Sequence, residues 1–133
     1  MLPQLLLAAF LIGHAVIHTG FLRPRPVAAG GPAWPFALDR SWLLKPLGVS
    51  ASAAKALGTA LVMVLVVAYG AAVLAALGVL GGAAFSAGVV VGSAASLLLL
   101  GLFFHPWLIV GAGLDLLLLV GVLGAGWRLE GLP

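Results

Sequence analysis

Cysteine is absent from the 133-residue chain, and charged residues are scarce. Without cysteine the chain has no disulfide framework, no thiolate metal ligand and no thiol nucleophile. Charged residues make up 7% of the chain and hydrophobic residues 64%, whereas soluble domains contain roughly 25% and 45–50% of these two classes. Because so few charges cannot cover a surface that faces water, the composition predicts an integral membrane protein.

Four long apolar runs fill most of the chain, whose length predicts a single domain over residues 1–133. A helix needs about 20 apolar residues to cross a hydrocarbon core of about 30 Å. We place the helices at about 2–22, 51–77, 84–104 and 107–126. Pro106 separates the last two, because proline cannot continue a helix but suits the first turn of the next. The sequence predicts an all-α, polytopic membrane protein with a four-transmembrane-helix bundle.

The only long loop is the segment 23–50, between helices 1 and 2. It contains Trp34, Phe36 and Trp42, and amphipathic rings of this kind favour the headgroup region of a bilayer. Loops of this length in compact domains are usually functional or disordered, and the two tryptophans argue against disorder. We expect a lid or collar that lies on the bundle, with a short interfacial helix that starts near Asp39.

Small residues recur at four-residue steps on the predicted helices. Helix 3 carries Gly88, Gly92 and Ser96, and helix 2 carries Ala68 and Ala72 at the same spacing. Since lipid provides no hydrophobic drive between helices, small residues allow backbones to approach closely. The pattern predicts close packing, either inside the bundle or against a second copy of the chain.

The basic residues lie mostly on the side of the long loop. They are Arg23, Arg25, Arg40, Lys45 and Lys55. The other side has Arg128, which is offset by Glu130. Lys and Arg are enriched in cytoplasmic loops, so we expect loop 23–50 in the cytoplasm and both termini outside. The net charge of +3 then reflects orientation in a bilayer and not binding to nucleic acid.

Ionisable residues inside the predicted spans are the first candidates for function. His14 and His18 lie four residues apart, and therefore on one helix face, about 6 Å apart along the axis. Asp115 is the only acidic residue within a predicted span. An aspartate at a helix centre costs roughly 2.5–3.5 kcal/mol, so it stays protonated or finds a partner. By depth, His14 is the best candidate for that partner.

Each predicted helix contributes one polar residue at a similar depth. At about 1.5 Å per residue, this predicted polar layer lies roughly 12 Å from the loop side and comprises His14, Thr59, Ser96 and Asp115. His18 lies one turn nearer the loop and His105 at the mouth. We expect Tyr69 to lie nearer the opposite face and to serve in packing.

The polar layer admits a structural role and a binding role. As a structural element it would form interhelical hydrogen bonds that fix the register of the helices. As a binding site it would hold a small molecule between the helices, under the aromatic loop. The candidate ligand-binding residues are His14, His18, Thr59, Ser96, His105, Asp115 and Trp42.

Three further interpretations use the same residues for chemistry. His14, His18 and Asp115 would offer three ligands to a metal ion, and for haem only His105 is available as an axial ligand on a facing helix. Ser96, His14 and Asp115 resemble a nucleophile, a base and an orienting group. A proton or ion relay is the third. We expect a non-catalytic membrane subunit or binding module; a membrane enzyme, a metal- or haem-binding protein and a relay are the alternatives.

Two stretches resemble a known sequence pattern. GHAVIHTGF at 13–21, and LFFHPW at 102–107 followed by Gly113 and Asp115, are similar to segments of an uncharacterised family of small bacterial four-helix integral membrane proteins. The resemblance implies a multi-pass protein of the bacterial inner (cytoplasmic) membrane and implies no chemistry. Besides the lipid bilayer, we expect a larger membrane complex or a homo-oligomer as partner.

Overall fold

The computed structural model describes residues 1–24 and 34–129, and within these ranges it is helical without strands. Four helices are long and apolar enough to cross a membrane, which confirms the predicted fold class. We label them α1 (Leu2–His18), α2 (Ala51–Ala76), α3 (Gly82–Leu102) and α4 (Ile109–Leu119). Short 3-10 turns extend α1 through Thr19–Leu22 and precede α4 at Pro106–Leu108, and a π turn, Val120–Gly124, follows α4. Arg25 and Glu130, used above for orientation, lie outside the described residues.

Local signals set the ends of α2. The Ser50 hydroxyl accepts a hydrogen bond from the Ala53 N–H at 3.2 Å, as an N-cap does. At the other end, Gly78 has a φ of 77°, a left-handed conformation that glycine adopts without steric cost. The chain therefore turns sharply from α2 into α3.

The fourth span departs from the single helix predicted at 107–126. Its α-helical core is flanked by the 3-10 and π turns, and the Ala125 N–H donates to the Val120 carbonyl at 2.9 Å, five residues back. The Trp127 ring folds back onto Gly121, where a Cβ would collide with it. Gly126, with a φ of 66°, permits this reversal. The helix thus ends before the indole that packs on it.

Small residues bring α2 and α3 together inside the bundle. A Cβ at Gly88 would lie 2.9 Å from the Ala72 backbone nitrogen and still closer to the Ala68 carbonyl. Gly92 faces the ring of Tyr69, which a Cβ would approach to 2.9 Å. Of the two packing alternatives, the face with these glycines is used within the chain.

The described part of the loop lies on the bundle and is fastened to the end of α3. Ser41 Oγ donates to the Leu102 carbonyl at 2.6 Å, and Trp42 Nε1 donates to the Gly101 carbonyl at 2.8 Å. The last carbonyls of a helix have no partner within it, so the loop supplies two donors that α3 lacks. Leu38 is buried against Gly58 of α2. This arrangement agrees with the expected collar.

The expected interfacial helix near Asp39 is wrong, because residues 42–48 form successive turns. The Ser41 hydroxyl accepts the Leu44 N–H at 3.0 Å, the contact that starts a helix, but the chain does not continue as one. Pro46 offers no N–H, and Gly48 has a left-handed φ of 77°. These residues leave no room for a regular helix.

Candidate functional site

Asp115 is the centre of a hydrogen-bonded group in the middle of the bundle. Its side chain is fully buried. Oδ1 is 2.8 Å from His14 Nε2 and accepts a hydrogen bond from the Tyr69 hydroxyl at 2.6 Å. Oδ2 is 2.5 Å from Ser96 Oγ, within hydrogen-bond distance. One carboxyl group of α4 thereby contacts all three other helices.

Three further contacts extend this group. Ser96 Oγ is 2.7 Å from His18 Nε2, and His18 Nδ1 donates to the His14 backbone carbonyl at 2.9 Å. The Tyr69 hydroxyl is 3.0 Å from Ser93 Oγ. We call the whole set the polar cluster, and its members are His14, His18, Tyr69, Ser93, Ser96 and Asp115.

Helical spacing explains why these side chains converge. His14 and His18 share one face of α1, and their ring centroids are 4.8 Å apart. Ser93 and Ser96 are three residues apart and share one face of α3. The Tyr69 ring reaches the cluster across Gly92, the only residue type that leaves space for it there.

The structure brings together most of the predicted polar layer. His14 and Asp115 are partners, as their depths indicated, and Ser96 joins them. His18, expected one turn away, joins through Ser96. The Ser96, His14, Asp115 order of a catalytic triad is not formed, because Ser96 contacts Asp115 directly and takes His18 as its histidine.

Thr59 makes no hydrogen bond to the cluster among the described residues, and Tyr69 is the contribution of α2. With 26 residues, α2 is about 39 Å long at about 1.5 Å per residue, longer than a hydrocarbon core of about 30 Å. Depth counted from its first residue therefore selects a residue too near the loop. Tyr69 was expected only to pack; a buried phenol usually finds a hydrogen-bond partner, and that rule could have identified it.

His105 and Trp42, also predicted to bind a ligand, lie outside the cluster. His105 Nδ1 accepts a hydrogen bond from the Trp107 N–H at 3.3 Å and so caps the turn before α4. The Trp42 indole is 63% exposed, and its N–H is used by α3. Both residues have structural partners at the loop end of the bundle.

A cavity of about 460 Å³ lies beside the polar cluster. His14 and His18 form its polar wall, and the rest is apolar. The aromatic part of the wall comprises Phe21, Trp34, Phe36 and Trp107. Aliphatic side chains complete it, among them Ile17, Leu100, Leu108, Val110 and Leu114.

The loop closes this cavity with packed rings. Phe36 contacts Phe21 edge-to-face with ring centroids 5.2 Å apart, and Trp34 contacts Phe36 at 5.5 Å. Trp34 Nε1 is buried and has no hydrogen-bond partner among the described residues. One residue of the cavity wall thus has a buried donor that no described residue satisfies.

A metal ion is the other occupant that the residues suggest. The ligand atoms of His14, His18 and Asp115 all lie within 4.8 Å of one another. However, both Nε2 atoms and both carboxylate oxygens already make short hydrogen bonds within the cluster. Ligand bonds of about 2.0–2.2 Å would require these contacts to break. The geometry therefore favours a hydrogen-bonded cluster over a metal site. His105, the candidate axial ligand for haem, lies outside the cluster in the turn before α4.

No protein-family model, no curated protein and no solved structure matches the chain. What the protein does must therefore be inferred from its own residues. The polar cluster and the adjoining cavity are the two features that bear on it.

Proposed function

We propose that this small membrane protein is a binding module that holds a lipid-soluble molecule in the cavity beside the polar cluster. One observation carries the proposal: the indole N–H of Trp34 is buried in the cavity wall without a partner among the described residues. A buried donor without an acceptor costs about 1–3 kcal/mol. An occupant with an oxygen acceptor removes that cost once the indole turns its N–H toward the cavity.

The wall indicates the chemistry of the occupant. Aromatic and aliphatic side chains form most of it, so the body of the ligand is apolar. Trp34 Nε1 is a donor only, so the ligand has a carbonyl or ether oxygen. His14, when it is neutral and donates from Nε2 to Asp115, has an Nδ1 that can only accept and so offers no donor to a carbonyl oxygen. A quinone, with a flat ring, carbonyl oxygens and a hydrocarbon tail, meets the two requirements set by the apolar wall and by Trp34.

Size and location agree with such a ligand. The cavity volume of about 460 Å³ falls within the range of about 300–1,000 Å³ typical of small-molecule sites. Ile17, Trp107 and Val110 line the cavity and are also exposed on the outside of the bundle, where a bilayer would contact them. A hydrocarbon tail could leave by this side into lipid.

A second, larger cavity of about 540 Å³ lies at Asp39 and Lys45, away from the polar cluster. Cavity volume alone therefore does not identify the binding site.

Two glycines of α4 provide a matched test. Gly111 lines the cavity, and a Cβ there would lie 3.4 Å from Leu100, whereas Gly113 is exposed with nothing within 4 Å. We expect Gly111→Leu to weaken binding of decylubiquinone at least tenfold, about 1.4 kcal/mol, because the leucine fills the cavity. Gly113→Leu should bind as the wild type does. Quenching of tryptophan fluorescence in lipid nanodiscs measures both.

The donor itself is tested by Trp34→Phe, which keeps a ring but removes the N–H. A hydrogen bond worth about 0.5–1.5 kcal/mol predicts binding about two- to twelvefold weaker. Trp127→Phe is the control, because this indole packs on Gly121 away from the cavity. Equal quenching in the wild type, Gly111→Leu and Trp34→Phe would show that the probe merely dissolves in lipid, and would overturn the proposal.

We also propose the topology that the charges indicate. Arg40 and Lys45 lie in the collar, and Lys55 lies in the first turns of α2 at the same end of the bundle. Positive residues of this kind favour the cytoplasmic side. The resemblance noted above supports a bacterial inner membrane as the location.

A further inference from the structure

Hydrogen-bond accounting around Ser96 shows how many protons the polar cluster holds. His18 Nδ1 is 2.9 Å from the His14 carbonyl oxygen, which can only accept, so this nitrogen carries a hydrogen. Ser96 has one hydroxyl hydrogen but two close neighbours, His18 Nε2 at 2.7 Å and Asp115 Oδ2 at 2.5 Å. One of these two contacts needs a hydrogen from the other side.

Two arrangements satisfy both contacts. In the first, Asp115 is ionised and accepts from Ser96, while a doubly protonated His18 donates to Ser96 Oγ. In the second, a neutral Asp115 carboxyl donates to Ser96 Oγ, while Ser96 donates to a neutral His18. An ionised Asp115 with a neutral His18 leaves one contact without a hydrogen.

Both arrangements carry no net charge when His14 is neutral. In the first, the positive charge on His18 offsets the negative charge on Asp115; in the second, neither residue is charged. A net charge in the middle of a membrane bundle is costly, so the accounting and the burial of the cluster agree. The nitrogen and oxygen atoms have the same positions in both arrangements, and only hydrogens move.

We infer that Ser96 relays a proton between His18 and Asp115. In passing from the first arrangement to the second, the His18 Nε2–H bond breaks and the proton binds Ser96 Oγ. At the same time the Ser96 O–H bond breaks and that proton binds Asp115 Oδ2. The serine ends with one hydrogen, as it began, and no outside reactant is required.

The neighbours of Asp115 direct the proton to one oxygen. Oδ1 can accept from His14 Nε2 and accepts from the Tyr69 hydroxyl in both arrangements. Oδ2 therefore remains the oxygen that gains or loses the proton. Because His18 lines the cavity, one end of the relay borders the proposed ligand. The relay goes beyond the binding function and operates in the protein whether or not the cavity is filled.

Sparse labelling makes the relay measurable in the whole protein. The chain has three histidines and two aspartates, Asp39 and Asp115, so nitrogen-15 histidine and carboxyl-carbon-13 aspartate spectra in lipid bilayers are simple. As temperature changes the ratio of the two arrangements, the His18 Nε2 and Asp115 carboxyl signals should move together, one toward deprotonation and the other toward protonation. His105 and Asp39 should not follow.

Two serines of α3 separate the relay from general packing. Both Ser93 and Ser96 are fully buried, but of the two only Ser96 is within hydrogen-bond distance of His18 and Asp115, whereas Ser93 contacts the Tyr69 hydroxyl. Ser96→Ala should uncouple the two signals, and Ser93→Ala should leave them coupled. If the wild-type signals do not change with temperature, the inference is overturned. This measurement uses the wild-type protein and so does not depend on whether a variant folds. Coupling that persists in Ser96→Ala would also overturn the inference. Decylubiquinone binding is a separate readout, so failure of either proposal can be recognised.

Discussion

Asp115 shows how a single side chain can hold a helix bundle together in lipid. It contacts His14, Tyr69 and Ser96, one residue from each of the other helices. Interhelical hydrogen bonds in membranes contribute only about 0.6 kcal/mol each on average. Their orientation matters more than their strength, because three fixed directions allow one arrangement of the four helices.

Asp115→Asn should preserve this arrangement while stopping the relay. The amide oxygen can accept from His14 and Tyr69, and the amide nitrogen can donate to Ser96, as the protonated carboxyl does. We expect a wild-type unfolding midpoint in denaturant titrations of the purified protein, with His18 neutral at all temperatures by nitrogen-15 NMR.

Asp115→Leu is the contrasting variant, because it removes all three acceptor contacts. A loss of about 1.8 kcal/mol in the free energy of unfolding follows from three bonds of about 0.6 kcal/mol each. If Asp115→Asn were destabilised as much as Asp115→Leu, ionisation of Asp115 and not its geometry would stabilise the bundle.

At the scale of elements, the close contact between α2 and α3 depends on glycines, which have no side chain. Gly88 lies against the backbone of Ala68 and Ala72, and Gly92 lies against the ring of Tyr69. The spacing of both glycines predicts that they pack against another helix. It does not predict whether that helix belongs to the same chain or to a second copy. That depends on how α2 and α3 rotate about their axes, which sequence spacing does not define.

Gly88→Ala should weaken the bundle, with Gly70→Ala as the matched control on α2. The added Cβ at Gly88 meets backbone atoms of α2, whereas nothing lies within 4 Å of Gly70. Overpacking typically costs about 1–3 kcal/mol, and an exposed glycine replaced by alanine in a helix stabilises it by up to about 1 kcal/mol. Unfolding in mixed detergent micelles measures the difference, and equal stability of both variants would contradict this packing.

The number and approximate bounds of the helices could be predicted because apolar length, together with the break at Pro106, determines them. Within the site, His14, Asp115 and Ser96 were predictable from depth because α1, α3 and the fourth span are close to membrane length. Tyr69 was not, because α2 exceeds that length. Trp34 and the closure of the cavity depend on how the loop folds over the bundle, and the loop has no repeating pattern from which its path can be deduced.

At the scale of the whole molecule, the two ends of the bundle differ in charge and in structure. The collar end carries Arg40 and Lys45, while the opposite end has the short turn after α2. The proposed topology places the collar in the cytoplasm. The lack of cysteine makes this simple to test, because any introduced thiol is unique.

Leu47→Cys and Val79→Cys place single thiols at opposite ends, on side chains that are 70% and 66% exposed. A membrane-impermeant maleimide added to intact cells should label Val79→Cys and leave Leu47→Cys unlabelled until the membrane is permeabilised. Labelling of Leu47→Cys in intact cells would reverse the proposed topology without affecting the cavity or the relay.

The hydrogen bonds from Ser41 and Trp42 to the last carbonyls of α3 have a consequence for biosynthesis. The ribosome makes the collar long before it makes α3, so these two donors have no acceptors until a third hydrophobic segment has entered the bilayer. Asp115 arrives later still, with the final helix. A nascent chain that stalls after α2 would therefore have an unfastened collar and two histidines without their hydrogen-bond partners from α3 and α4.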